Sequence, residues 1–384
     1  SSSDFVFYDG IGRTGGSVDH AADGGGGNSR RLQDLTDAPL YGLEGVCGRR
    51  WHLGNVDASA VLRRIGRLRV AVFGDLCLDV YLEVVRGGSE RSRETGRRAA
   101  AVAQQRHSLG AAGNVAANAA ALGAAAEAFS VLGEDPFGRE LRRQLAGVGV
   151  DHEAVVSDAA WHTSAYIKHV AAGREVARFD TGVANSLADA TAARLVASLE
   201  RRLPHLDVVI INQQLARGVH TPATHRRLSD LIARRDGTVW VSDTRDPAAA
   251  YPGTIRKLGA EHLPRRMRRF SWGRRALRRL ADRADVLRSL ARELPAFATL
   301  GSRGAVLITG GRAHHVPAHR LEGPADPVGA GDAFVVGVAL ALAAGLSPLD
   351  AARLANAVAA VTVRQVGRTG IVTPAEVVAL LARD

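Results

Sequence analysis

The sequence predicts an α/β fold: a three-layer sandwich around a mostly parallel central sheet, with a small second sheet attached. Three observations carry the prediction. Short continuous apolar runs, such as 208–212 and 305–309, are separated by segments of helical period, the pattern of strands covered by helices on both faces. Gly and Asp close several of those runs, as at Gly74-Asp75, so the chain turns where a strand meets a helix. In two stretches, 81–107 and 163–180, polar and apolar residues roughly alternate instead, which suits a half-exposed sheet.

Taken in order, residues 1–56 hold Gly24-Gly25-Gly26-Gly27, scattered Ser and Asp and no sustained period. They read as a flexible leader. The folded domain is expected over 57–384. Val61, Ile65 and Leu68 lie at near-helical spacing, and 69–75 reads as a buried strand ending in a turn. A helix is expected at 115–122, a strand at 128–132 and a helix at 138–146. Strand 208–212, helix 222–234, strands 238–242, 297–300 and 305–309, and a helix over 331–344 complete the alternation. Ligands in such folds sit beyond the carboxyl ends of the strands. The alternating segments 81–107 and 163–180 would form a lid there.

Composition narrows the function classes. With 46% apolar and 23% charged residues, wholesale disorder is excluded. Two cysteines, Cys47 and Cys77, without a CxxC or a Cys/His cluster argue against a disulfide scaffold and a zinc finger, and fit a reducing compartment. The long uncharged runs are either Ala-, Gly- and Asn-rich (108–126) or short (333–345), so a membrane span is not expected. The N-terminus lacks the basic and apolar regions of a signal peptide, and the expectation is a cytoplasmic protein. The net charge of +11 suggests nucleic acid until its source is located. Eleven Arg and two Asp lie between Pro264 and Arg292, without regular aromatics or a known nucleic-acid motif. A solvated helical face explains that run better than nucleic acid does.

The chemistry concentrates in one glycine cluster, Asp326-Pro-Val-Gly329-Ala330-Gly331-Asp332-Ala-Phe334, which opens a long apolar helix. The P-loop and the dinucleotide fingerprint are both absent. Gly and Ala let backbone N–H groups approach a ligand closely, and a helix N-terminus adds partial positive charge, so the cluster forms an anion site. Asp332 stands inside it. Two readings remain on physical grounds alone: a base that takes a proton from an attacking hydroxyl, or a helix cap.

This cluster resembles the D-T-x-G-A-G-D signature of the PfkB, or ribokinase-like, carbohydrate kinases. Further pieces resemble the family in order over 66–384: Gly74-Asp75-Leu-Cys-Leu-Asp79-Val-Tyr81, Gly110-Ala-Ala-Gly113-Asn114-Val-Ala-Ala-Asn118, Thr299-Leu-Gly301-Ser-Arg-Gly304, Asn356, and Gly367-Arg-Thr-Gly370. Within the family, Glu94-Thr95-Gly96 and Arg178-Phe179-Asp180 are most similar to the heptose 7-phosphate kinase branch. The resemblance implies a ribokinase-like kinase using ATP and Mg²⁺ on a sugar or sugar phosphate, with a dimer through the lid strands. It implies Asp332 as base and the amides of Gly329, Ala330 and Gly331 as the anion hole. Asp79, Gly110 and Asn114 would hold the sugar, and Thr299, Gly301, Gly304 and Asn356 the ATP. Asp326 would help bind a monovalent cation, K⁺ in several relatives.

Two departures count against a simple carry-over. The family's N-x-x-E, which organises Mg²⁺ and water, falls on Lys257-Leu-Gly259-Ala-Glu261-His262, where Gly259 and His262 replace the Asn and the Glu. Glu261, one residue off, is the substitute candidate for an indirect magnesium role. Ala111 stands where the substrate loop carries its second glycine. A pseudokinase that binds sugar or nucleotide without turnover, or a nucleoside kinase, are therefore the rival readings. Among the remaining candidates, Asp243 and Asn212-Gln213-Gln214 end strands and either touch ligand or cap. His314-His315 reads as the turn of an exposed hairpin, and Cys77 as a buried small hydrophobe.

Overall fold

A computed structural model describes residues 57–85, 90–234, 237–246, 250–263, 284–366 and 370–382. The leader and most of the Arg-rich run lie outside the described residues. Helix α1 (Ala58–Ile65) leads into strands β1 (Arg69–Gly74), β2 (Leu76–Val84) and β3 (Val102–Ala111), helix α2 (Ala112–Ala121), strands β4 (Ala125–Phe129) and β5 (Val131–Leu132), and helix α3 (Pro136–Gly147). Strands β6 (Val156–Ser157), β7 (Ala165–Ala171) and β8 (Arg174–Asp180), helix α4 (Asp189–Arg202), strand β9 (Val208–Gln213), helix α5 (Pro222–Ala233) and strands β10 (Val239–Thr244) and β11 (Ile255–Leu258) follow. The chain continues through α6 (Ala284–Ala291), β12 (Ala296–Thr299), β13 (Ala305–Thr309), β14 (Arg312–Val316), α7 (Ala330–Ala343), α8 (Pro348–Thr362) and α9 (Pro374–Leu381).

Helix starts follow local chemistry. Asp135, Thr221, Ser347 and Thr373 each cap a helix whose first residue is proline: their side-chain oxygens accept from backbone N–H groups that the helix leaves unpaired.

The main sheet runs β14-β13-β12-β11-β10-β9-β1-β4. Six neighbouring strands, from β12 to β4, are parallel, and the β12–β13 and β13–β14 pairs are antiparallel. Alternate residues of one strand enter opposite cores. Val70, Val72, Val208 and Ile210 pack with α2, α7 and α8, whereas Ala71, Phe73, Val209 and Ile211 pack with α4 and α5. That alternation makes three layers, as the sequence predicts, and explains why these strands are apolar throughout. Helix α7 is buried on all sides because small residues let α8 approach: a Cβ on Gly337 would lie 2.6 Å from the Ala355 Cα.

A second sheet, ordered β3-β2-β7-β8, gathers both alternating segments. Its inner end is buried, from Leu76 to Val80, and β8 is exposed along its whole length. Two local readings are corrected. His314 and His315 sit on strand β14 and not in the turn before it, both half-buried. Burial pushes both rings below the ordinary imidazole range, and His315 Nε2 lies 2.8 Å from the Arg303 carbonyl. Strand β11 and helices α4 and α9 are elements that apolar periodicity alone did not predict.

Candidate active site

The carboxyl ends of β1, β9, β10 and β11, the N-terminus of α7 and the inner end of the second sheet converge on one side chain, Asp332. It lies in the first turn of α7, after Gly329 at φ +79°, a left-handed conformation glycine adopts without strain. The Asn114 amide donates to its Oδ2 over 2.8 Å, and the Gln214 amide reaches its Oδ1 at 3.4 Å. Burial pushes the Asp332 carboxyl up to about 6, with Asn114 pulling the other way and Asp243 adding to the rise. A carboxyl in that range accepts a proton near neutral pH and releases it readily. The first amides of α7 beside it lack intrahelical partners, and that of Ala330 donates to the Pro327 carbonyl at 3.2 Å. Capping does not account for Asp332, since its oxygens go to the Asn114 and Gln214 side chains.

On one side of Asp332 lies an Asp–Lys pair of the second sheet. The Asp79 carboxylate meets Lys168 Nζ at 2.8 Å, both nearly buried, and Lys168 also reaches the Tyr81 hydroxyl at 3.3 Å and sits over its ring. Burial pushes Asp79 up while Lys168 pulls it back. Gly110 makes room: a Cβ there would lie 3.2 Å from Asp79 Oδ2. Asp75, by contrast, is wholly structural. Its oxygens accept from the amides of Gln214, Leu215 and Val219 at 2.8–2.9 Å, and so fix the loop that carries Gln214 to Asp332. That loop also lines a pocket with Tyr166, Arg178, Asp180, Arg217 and Arg245, where the Arg178 guanidinium pairs with Asp180 at 2.8 Å and lies over the Tyr166 ring.

On the other side lies a second pair. Asp243 and Lys257 are direct cross-strand partners on β10 and β11, and Lys257 Nζ donates to both carboxylate oxygens at 3.1 and 3.0 Å. Burial pulls Lys257 down, but Asp243, with Asp332 and Glu261 behind it, outweighs that and holds the ammonium above its ordinary range. A Cβ on Gly331 would lie 3.2 Å from this nitrogen.

The substituted stretch after β11 is occupied in its own way. The Glu261 side chain folds over Gly259, where a Cβ would collide with its carboxylate. His262 Nδ1 accepts from the Gly259 N–H at 3.3 Å, and its Nε2 donates to the Arg245 carbonyl at 2.9 Å. Both nitrogens are spent on backbone. Among the described residues no group of three His, Cys, Asp or Glu is placed to hold a metal ion.

The expected nucleotide residues lie apart, between β12 and α8. Thr299 Oγ donates to the Leu258 carbonyl at 3.3 Å. Gly301 at φ +62° faces open space, and Gly304 packs so closely against 316–318 that no Cβ fits. Asn356 donates to the carbonyls of Val316 and Pro317 at 3.0 and 2.9 Å, which ties α8 to that turn. Asp326 Oδ1 accepts from the Val328 N–H at 3.0 Å. The sequence did not single out Lys168, Lys257, Arg217 or Arg245, whereas Arg178 entered through the resemblance of Arg178-Phe179-Asp180.

An acidic side chain at a glycine-rich helix start, at the carboxyl ends of a parallel sheet under a small second sheet, is an arrangement suited to phosphoryl transfer. The chain belongs to the pfkB family of carbohydrate kinases: that family's model matches residues 67–255 and 271–375. A protein named bifunctional protein HldE from Caulobacter sp. (strain K31) is 34% identical over 330 residues, 81% of this chain and 62% of its own length. A namesake from Nitrobacter winogradskyi is also 34% identical, over 84% of this chain and 65% of its own. The chain therefore spans less than two thirds of these relatives. Among solved structures, Arabidopsis thaliana ribokinase complexed with ribose and ATP superposes with a TM-score of 0.60 at 17% identity, over 82% of this chain and 99% of that one. A Burkholderia thailandensis nucleoside kinase in complex with inosine gives 0.56 at 18%, over 82% and 98%. Both confirm the ribokinase-like fold. No helix among the described residues is long and apolar enough to cross a membrane.

Proposed function

We propose that the chain transfers the γ-phosphoryl group of ATP to a hydroxyl of a sugar phosphate, with a heptose 7-phosphate as the first candidate acceptor. The observation that carries the reading is the Asp332 carboxyl, pushed up to about 6 and held between Asn114 and Gln214 at the start of α7. Asp332 takes the acceptor's proton, and the amides of Gly329, Ala330 and Gly331 receive charge on the moving phosphoryl group. Asn114 orients the base. Asp79 with Lys168, beside Gly110, holds acceptor hydroxyls, and Arg178, Arg217 and Arg245 bind the acceptor's own phosphate. That guanidinium cluster favours a sugar phosphate over a neutral sugar or a nucleoside. ATP supplies the phosphoryl group from the side of Thr299, Gly301, Gly304 and Asn356, and Mg²⁺ arrives chelated by its phosphates. Asp326 is the candidate ligand for K⁺. The second sheet closes over the acceptor as a lid, and its exposed strand β8 is the edge through which a homodimer would form.

A second reading is favoured by Gly259 and His262: a pseudokinase that binds ligand without turnover. One experiment separates the two. ADP release with Mg-ATP is followed across hexoses, pentoses, heptose 7-phosphate and nucleosides, for the wild type and Asp332→Asn. Turnover on a sugar phosphate, lost in the variant, is the expected result. Ligand-induced stabilisation with no turnover on any acceptor overturns the kinase.

A further inference from the structure

Lys257 carries a charge that the fold does not require. A buried ion pair is a poor stabilising device, because two desolvated charges seldom recover their hydration. This pair nevertheless stands at the carboxyl ends of two parallel strands, where ligands of such sheets sit. An ammonium has three N–H donors, and two of them go to Asp243. The third has no acceptor among the described residues. Gly331 lacks the side chain that would cover it, since a Cβ there would lie 3.2 Å from Nζ. The ammonium thus lies against the first turn of α7, near enough to Asp332 for Lys257 to feel its charge. A few residues on, both nitrogens of His262 are committed to backbone.

We propose that Lys257, held in place by Asp243, binds the terminal phosphate of the nucleotide and supplies from the protein the positive charge at the transfer centre. The inference rests on the kinase reading. In the step, the acceptor oxygen bonds to the γ-phosphorus as the bond from that phosphorus to the bridging oxygen breaks. The acceptor's proton passes to Asp332, and ADP leaves with the electron pair. The third N–H of Lys257 donates to a γ-phosphoryl oxygen throughout, an interaction a neutral side chain cannot make.

The test uses the full chain with Lys257→Met and Asp243→Asn combined, which leaves no unpaired buried charge. Binding of ATP and of adenosine is measured calorimetrically in EDTA, where no divalent ion masks the contact. The double variant is expected to bind ATP roughly 10- to 100-fold more weakly, the range of one charge-assisted contact, with adenosine unaffected. Equal ATP affinity in wild type and variant overturns the proposal and leaves a structural pair. If the double variant fails to fold, Lys257→Arg replaces it: a changed kcat with an unchanged acceptor KM supports the contact, and wild-type kinetics overturn it. Should the wild type bind ATP in EDTA but turn over no acceptor, the kinase reading falls while the ATP comparison still decides the Lys257 contact. If the wild type binds neither ATP nor adenosine, both fall.

Discussion

Two Asp–Lys pairs flank Asp332, and they match in burial while differing in surroundings. Asp79–Lys168 and Asp243–Lys257 are each about one tenth exposed. Lys168 divides its contacts between one Asp79 oxygen and the Tyr81 hydroxyl and has the Tyr81 ring beneath it, so it is enclosed by the second sheet. Among the described residues Lys257 donates only to Asp243, and it lies against Gly331, which puts no side chain beside it. The first pair is built to hold a carboxylate in one orientation toward hydroxyl groups. The second is built to leave a donor available. The same two residue types thus serve opposite ends of a transfer, and what separates them is what lies beside each ammonium: the Tyr81 ring and hydroxyl for Lys168, the start of α7 for Lys257.

The comparison turns on Asp332, which both pairs face, and removing its charge should give the largest effect. Asp332→Asn is expected to lower kcat roughly 100- to 10,000-fold, the usual range for losing a general base, with binding of either substrate little changed. The wild-type kcat/KM should rise with pH through about 6 and level off above, because the base works only when deprotonated. Stability should run the other way. A carboxyl whose folded pKa lies above its ordinary value of 3.8 binds its proton more tightly in the folded state, so stability falls as pH rises from that value to about 6. Asp332→Asn should therefore melt several degrees above the wild type at pH 8, a gap of about 3 kcal/mol that closes toward pH 4. A constant gap across pH would remove the buried carboxyl from the account.

Next in size is the acceptor-side pair. Lys168→Met strands a buried Asp79 and should cost about 3–5 kcal/mol, recovered in large part when Asp79→Asn is added. The double variant should raise the acceptor KM and leave ATP affinity alone, the mirror image of the result expected at Lys257. Equal effects on both substrates would mean that the two pairs do not divide the site. A smaller change is expected from Tyr81→Phe, which removes a single hydroxyl contact to Lys168: a twofold to tenfold rise in acceptor KM, with stability lowered by about 1 kcal/mol.

The contrast between the pairs also explains what was legible in the sequence. The alternation of apolar runs and helices gave the three layers, because a buried parallel strand must be apolar on both faces, as β1 and β9 are. Asp332 stood out because its short segment has glycines with a local reason, Gly329 turning the chain, whereas Asp79 stood out only through the family resemblance, since the glycine beside it, Gly110, comes from another strand. Lys168 and Lys257 were not legible, because each gains its meaning from a partner on another strand, 89 and 14 residues away in number, whose register no local pattern reveals. Helix α4 escaped notice for a related reason: its buried residues Leu195, Val196 and Leu199 are diluted by arginines on the other face. The Asn114 contact to Asp332 spans 218 residues and belongs to the same class.

The smallest expected effects come from two adjacent residues of the acceptor side, and they have opposite signs. Ala111 ends β3 and precedes α2 at φ +50° and ψ −130°, a conformation in which a Cβ is strained and glycine is not. Relief of that strain outweighs the extra freedom glycine gives the unfolded chain, so Ala111→Gly should stabilise by about 1 kcal/mol. Gly110, one residue earlier, already has its Cβ position 3.2 Å from Asp79 Oδ2 and 3.3 Å from the Cys77 carbonyl. Gly110→Ala must therefore push the Asp79 carboxylate toward Lys168, and should raise the acceptor KM severalfold at a stability cost of about 1 kcal/mol. Melting curves and acceptor KM measured on both variants decide the matter. If Ala111→Gly destabilises, the turn holds its conformation without strain; if Gly110→Ala leaves KM untouched, the acceptor does not lean on Asp79, and the acceptor-side pair is structural.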